Sequence, residues 1–273
     1  MERVGEQPVT PGPLAVRWLA YELGAPRAGV TASARVSVEN AGSATWRSRG
    51  KSGVQLAYHW LDSLGNPIVW DGVRSGLPRP VAPGERLELD VSLVAPRPPG
   101  RYVLSFDLVE EHQFWFAEVG CATLDVPVHV APRISSRRLA VVVHGGDDAE
   151  TQAALAAQEE PLVTEAADAV AHLVPGAAPA PDWSRRLLDA HAEGWAAVGG
   201  SVVADSRRDR RRLAAWAPGG RNPRFDKPLL LPSLLDGLEP EEHAGLPAYE
   251  ASDGLFEGRA VVRLRQRSGR PPA

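Results

Sequence analysis

The 273-residue chain contains a single cysteine, Cys121, so no internal disulfide can form. That excludes the small secreted domain that relies on covalent staples in place of a large core. No run of about 18 consecutive apolar residues occurs, which excludes an ordinary transmembrane helix. The opening Met1-Glu2-Arg3-Val4-Gly5-Glu6 has no basic stretch followed by an apolar one, so no export signal is read and a cytoplasmic protein is expected. Excess positive charge is also missing: 30 Lys and Arg face 34 Asp and Glu, for a net charge of −4. Without a broad cationic field no nucleic-acid partner is expected, and the basic run from Arg207 to Arg212 reads as a solvated loop or helix face.

Recognisable catalytic and metal motifs are absent too. His59, His112, His129, His144, His172, His191 and His243 do not fall at ligand spacing, and neither C-x-x-C nor H-E-x-x-H is present, so no metal site is expected. Gly199-Gly200-Ser201-Val202 does not form the G-x-S-x-G elbow of a serine nucleophile. Gly145-Gly146 lacks the Walker lysine and the full G-x-G-x-x-G of a phosphate cradle, so a tight turn is the plainer reading.

What is present divides near residue 135. Segments 14–23, 30–39, 53–61, 86–94, 100–109, 113–118 and 122–130 read as short strands separated by turn residues. Leu87, Leu89, Val91 and Leu93 alternate with Arg86, Glu88, Asp90 and Ser92, as a strand requires when one face is buried and the other wet. Tyr102, Leu104, Phe106 and Leu108 repeat the pattern. Pro83-Gly84 and Pro99-Gly100 suit turns with a positive φ, and about seven strands make a β-sandwich.

Five of the 8 tryptophans, Trp18, Trp46, Trp60, Trp70 and Trp115, lie in this half. Trp46, Trp60 and Trp115 are expected in the core. Adjacent strand residues face opposite ways, however, so Phe114, Trp115 and Phe116 cannot all enter one core, and at least one faces solvent or the second domain. Exposed aromatics stack on sugar rings or anchor partner proteins, which makes these three candidate contacts for a glycan or a protein.

The order Asn40-Ala41-Gly42, Trp46, Tyr58-His59-Trp60, Leu77-Pro78, Pro83-Gly84-Glu85, Pro99-Gly100-Arg101-Tyr102 and Trp115-Phe116 resembles bacterial immunoglobulin-like accessory modules attached to glycosyltransferases and other cell-surface polysaccharide enzymes. The resemblance covers about 120 residues. It implies binding or scaffolding and supplies no catalytic residue.

Beyond a linker at 132–138, Leu139 to Val143 reads as a buried parallel strand ending in His144-Gly145-Gly146-Asp147. Asp147-Asp148 can cap a helix from Thr151 to Gln158, followed by a strand at 169–173, a helix at 181–193 and a strand at 196–203. Such alternation predicts an α/β domain with a parallel sheet. Residues 139–205, above all Asp182-Trp183, Leu187-Leu188 and Val198-Gly199-Gly200, resemble the nucleotide-sugar half of the GT-A glycosyltransferase fold in its inverting, polysaccharide-making family.

That family holds a divalent cation through a D-x-D pair, whose places are taken here by Val174 and Gly176. Gly145, Gly146, Asp147 and Glu165 then stand as remnants of a nucleotide pocket, with Asp148 beside them. Arg221 and Arg224 are candidate contacts for an acid or phosphate in a loop at 216–225. A catalytic base would come from Asp226, Asp236, Glu239, Glu241 or Glu242, none of them in a recognisable motif. Phe256 to Leu264 reads as a last edge strand.

The expected protein therefore has two domains: an all-β immunoglobulin-like sandwich at 10–131 and a truncated, small α/β GT-A-like domain at 139–265, with a disordered tail at 266–273. Its expected role is non-catalytic, with no cofactor, as a binding accessory of cell-surface glycan assembly whose partner is a glycan or a glycan-assembly protein. A metal-independent glycosyltransferase and a protein-interaction adaptor are the alternatives.

Overall fold

The computed structural model describes residues 1–5, 7–48, 53–143, 148–173, 176–195, 197–204, 215–222, 227–231 and 255–264. The chain is β-rich and separates into two compact units, Met1–Ala131 and Pro132–Ala273.

The first unit is built from β1 (Glu2–Arg3), β2 (Val16–Leu23), β3 (Thr31–Asn40), β4 (Val54–Leu61), β5 (Pro67–Val69), β6 (Ser75–Gly76), β7 (Arg86–Val94), β8 (Gly100–Glu110), β9 (Phe114–Trp115) and β10 (Leu124–Val130). One antiparallel sheet runs β1-β2-β3-β7. The other runs β10-β8-β4-β5, with β6 also on β4 and β9 also on β8. Val36, Val38, Leu89, Val91 and Leu93 of the first sheet share one buried cluster with Leu56, Tyr58, Trp60, Leu104, Phe106 and Leu108 of the second. Two sheets with a common apolar interior form a sandwich, and the alternating residues of each strand fill it.

Tyr58 and Trp60 point into this core, and both tie the sheets together through Val94 at the end of β7. Val94 N–H donates to the Tyr58 hydroxyl at 2.9 Å, and the Trp60 indole N–H donates to the Val94 carbonyl at 2.9 Å. Polar atoms of large buried aromatics need partners, and here those partners are one residue of the opposing sheet.

Asn40, fully buried, closes the other end. Its amide donates to the Ala44 carbonyl at 2.9 Å and the Val81 carbonyl at 2.8 Å, while its side-chain oxygen accepts from Gly42 N–H at 3.0 Å. A Cβ at Gly42 would lie 2.3 Å from the Pro13 carbonyl oxygen, so only glycine lets the chain pass there.

The second unit opens with β11 (Leu139–Val143), α1 (Ala149–Ala156) and β12 (Ala169–Leu173), and β11 pairs with β12 in parallel. Asp148 caps α1 by accepting from the N–H groups of Glu150 and Thr151. Then come β13 (Ala177–Pro179), α2 (Trp183–Ala192), β14 (Ala197–Ala204), β15 (Ala215–Asn222), β16 (Lys227–Leu231) and β17 (Leu255–Leu264). Trp183, Leu187 and Leu188 of α2 pack with Leu139, Leu173 and Ile134. Residues 132–138 are fastened to this unit: Arg133 N–H bonds the Ala192 carbonyl at 3.2 Å, and Arg137 reaches both Glu160 and Asp189.

Two sequence expectations need correction here. β17 lies between β13 and β14 rather than at an edge, antiparallel to the first and parallel to the second. The segment read as a loop from 216 is largely β15, which pairs antiparallel with β16.

Replacing Asn40 with alanine removes three hydrogen bonds, those of Gly42 N–H and the Ala44 carbonyl outright, while the Val81 carbonyl keeps the Trp46 N–H at 2.9 Å; a buried polar group left without a partner costs about 1–3 kcal/mol. Urea unfolding of the Asn40→Ala protein, followed by tryptophan fluorescence, is expected to show a loss of about 2–4 kcal/mol in the first unit. An unchanged midpoint would contradict the role given to this side chain.

Candidate functional site

A strand of a two-sheet sandwich ordinarily buries alternate residues, and β7 does so. The strands β4 and β8 do not: every residue from Val54 to Trp60 and from Leu104 to Val109 is buried. Their second face therefore carries its own cover. The residues on it are Gln55, Ala57 and His59 of β4 and Ser105, Asp107 and Val109 of β8.

Register sets them in rows. His59 pairs with Ser105, which pairs with Asp125 of β10; Ala57 pairs with Asp107. The cover comes from the loop after β5 and from β9. Trp70 stacks on the His59 ring with centroids 4.1 Å apart and planes 24° apart. Trp115 packs on Ala57 and Val109, with its ring 4.4 Å from that of His59 and 6.0 Å from that of Trp70. The Arg74 guanidinium lies 4.6 Å from the Trp115 ring centroid, a cation–π contact.

The loop from Trp70 to Arg74 can lie this close only because residue 72 is glycine. Gly72 N–H bonds the Tyr58 carbonyl at 3.0 Å, and a Cβ there would come within 2.4 Å of the same oxygen. Arg74 closes the loop by donating to Asp71 at 2.9 Å, to the Gly72 carbonyl at 2.9 Å and to Glu111 at 3.3 Å. Trp70 nevertheless remains 50% exposed, by far the most open large aromatic of the group.

The polar groups beneath have definite states. His59 Nδ1 donates to the Trp70 carbonyl, which fixes the tautomer, and burial holds its pKa below the ordinary histidine value. The ring is neutral at pH 7. Asp107 has no exposed surface. Burial pushes its carboxyl up to about 7, helped by the negative charges of Glu118 and Asp125, although the N–H groups of Leu108 and Ala117 donate to it at 2.7 and 3.2 Å. Asp125, exposed, accepts on one oxygen from Ser105 at 2.6 Å and Thr123 at 2.9 Å.

The arrangement has a sealed layer and an open one. Its acidic proton, on Asp107, is sealed from any substrate. What it offers outward is a half-exposed indole flanked by carboxylates that accept hydrogen bonds from hydroxyl groups.

Of the candidates read from sequence, Trp115 belongs to this site, but its ring lies on the second face of the sheet and not in the main core. Phe116 is fully buried in the main core, edge-on to Trp46, and Phe114 packs partly buried against that same core. His59, Ser105 and Asp107 were missed; their signal was short polar residues alternating within two strongly apolar strands.

In the second unit Glu165 is exposed, and its carbonyl accepts from Arg138 at 3.0 Å. Gly176 has φ 85°, and its N–H donates to Thr151 at 3.0 Å, so this position is a structural turn. Arg221 stands opposite Pro228 in the β15–β16 pair. Gly145, Gly146, Asp147, Val174, Arg224, Asp226, Asp236, Glu239, Glu241 and Glu242 lie outside the described residues. Among the described residues no cluster of three metal-ligating side chains occurs, and no helix is long and apolar enough to cross a membrane.

Asp107 makes stability depend on pH with a defined sign. The unfolded chain ionises this carboxyl near 3.8 and the folded one near 7, so stability is lost as pH rises between those values. Asp107→Asn removes the titration. Relative to the parent, the variant is expected to gain on the order of 2 kcal/mol between pH 5 and pH 8 in chemical denaturation. His59 acts in the opposite sense, weakening the fold as pH falls below its ordinary value, and cancels in the comparison. Parallel pH profiles for the two proteins would contradict a protonated buried Asp107.

No protein-family model matches the chain, and no curated protein matches it. Solved structures do. The C-terminal domain of wzt aligns at 15% identity over 44% of this chain and 75% of that one, with a TM-score of 0.32. Spo0M, a sporulation control protein from Bacillus subtilis, aligns at 13% identity over 42% of this chain and 49% of that one, with a TM-score of 0.28. A family 123 glycoside hydrolase from Clostridium perfringens, studied for glycolipid glycan hydrolysis, aligns at 9% identity over 48% of this chain and 26% of that one, with a TM-score of 0.25. Similarity this shallow ties the chain to none of the three.

Proposed function

We propose that the protein is a non-catalytic, glycan-binding accessory of cell-surface polysaccharide assembly. Its immunoglobulin-like first unit holds the glycan on the outer face of β4, β8 and β10. Its second unit is a glycosyltransferase-like domain that has lost the metal-binding pair, with Val174 and Gly176 where the carboxylates would stand. The observation that carries the reading is Trp70: a half-exposed indole stacked on His59, on a face that also exposes the carboxylates of Asp71 and Asp125.

An aromatic ring held in one orientation loses little entropy when a sugar ring stacks on it, and neighbouring carboxylates accept its hydroxyl protons. From β4 to β10 the face crosses two inter-strand spacings, about 10 Å. A ligand that touches both Trp70 and Asp125 therefore extends past one sugar ring, which fits a polymer. The turn at Gly176, committed to Thr151, supports the loss of metal chemistry in the second unit.

Calorimetric titration with a panel of oligosaccharides tests the reading. Saturable binding is expected, and Trp70→Ala should weaken it by about tenfold or more, since one stacked aromatic is worth about 1–2 kcal/mol. Its thermal midpoint should fall by several degrees, because the buried half of the indole is lost, with a cooperative transition retained. Binding that survives Trp70→Ala unchanged would move the site elsewhere.

A further inference from the structure

We propose that the same face selects neutral, hydroxyl-rich glycan segments and turns away those bearing uronic acid or phosphate groups; this rests on the glycan-binding reading above. The charges around Trp70 decide it. Asp71 adjoins Trp70 in the chain and keeps 71% of its side chain exposed. Asp125 lies in the same cross-strand row as His59, with one oxygen satisfied by Ser105 and Thr123 and the other left to accept from a ligand hydroxyl. Glu111 stands at the far side of Arg74.

The cation in contact with this cluster is Arg74, and it is already committed. Each of its three nitrogens has a partner, to Asp71, Glu111 and the Gly72 carbonyl, and its planar group rests on Trp115. An incoming carboxylate or phosphate would have to break one of those bonds to reach it. Two bonded carboxylates exceed its single charge, so Arg74 leaves the cluster negative.

Arg101 and His129 pair on the same face of β8 and β10 and are exposed, but they sit at the other end. Arg101 is four residues along β8 from Ser105, about 13 Å at the rise of a strand. That exceeds the screening length of about 8 Å at physiological salt, so neither group offsets Asp71 and Asp125. The row between them, Leu61, Val103 and Pro127, carries no charge. A neutral polyol supplies the hydroxyl donors that these carboxylates accept, whereas an acidic sugar meets like charge near the indole.

The test compares mannan, dextran and galactan with alginate and polygalacturonate, at low and high salt, on the full chain and on Trp70→Ala and Asp125→Lys. At least one neutral polymer is expected to bind through Trp70, with the acidic polymers about tenfold weaker or worse at low salt. Salt and Asp125→Lys should both narrow that gap. Acidic polymers bound as tightly as neutral ones, or a preference indifferent to salt and to Asp125→Lys, overturns charge selection while leaving the glycan face intact. Absence of binding by every polymer, or binding that Trp70→Ala does not weaken, removes the face itself, and its selectivity with it.

Discussion

A carboxyl with no exposed surface must find partners or give up its charge, and Asp107 does part of each. Two backbone N–H groups bond it, one from its own strand and one from Ala117 in the short 3-10 turn after β9. Those bonds do not offset its removal from water, and its pKa rises to about 7. The layer over β4 and β8 depends on this compromise. Ala117 is held over the sheet by Asp107, and Trp115, two residues earlier, is positioned by the same turn with Glu118 accepting its N–H at 3.0 Å.

From that layer the exposed chemistry follows in order. Trp115 supports Arg74 and one side of His59; Arg74 and Gly72 clamp the loop that carries Trp70; His59 lies under Trp70 and bonds its carbonyl. Each contact is modest, in the range of about 0.5–2 kcal/mol, but together they fix an indole that would otherwise lose rotamer freedom on binding. Rigidity of this kind costs stability at Asp107 and returns it as a preformed surface.

Much of the first unit was readable because its rules are local. The alternation in β7 matches the burial found, and Trp46 and Trp60 lie in the core as expected. Phe114, Trp115 and Phe116 do not all enter the main core, but none of them turns out to solvent as expected: Trp115 is buried against Ala57 and Val109 on the second face of the sheet, and Phe114 is partly buried against the core. What could not be read is the covering of β4 and β8, because a short polar residue on a strand looks the same whether water or a tryptophan lies over it. Trp70 and His59 are eleven residues apart and meet only through the close approach at Gly72. In the second unit the strand, capped helix and parallel strand from Leu139 to Leu173 follow from local signals. The central place of β17 does not, since its neighbours β13 and β14 come from far earlier in the chain.

A glycan held on the outer face of β4, β8 and β10 would touch the tryptophans that cover it. Two-dimensional NMR of the full chain, with the tryptophan indole N–H signals assigned and a neutral oligosaccharide added in steps, tests that contact most directly. Progressive shifts are expected for Trp70 and Trp115 and for backbone amides around His59, Ser105 and Asp125, while the core indoles Trp46 and Trp60 stay in place. Shifts confined to the sheet of β2, β3 and β7, or to the second unit, would contradict it.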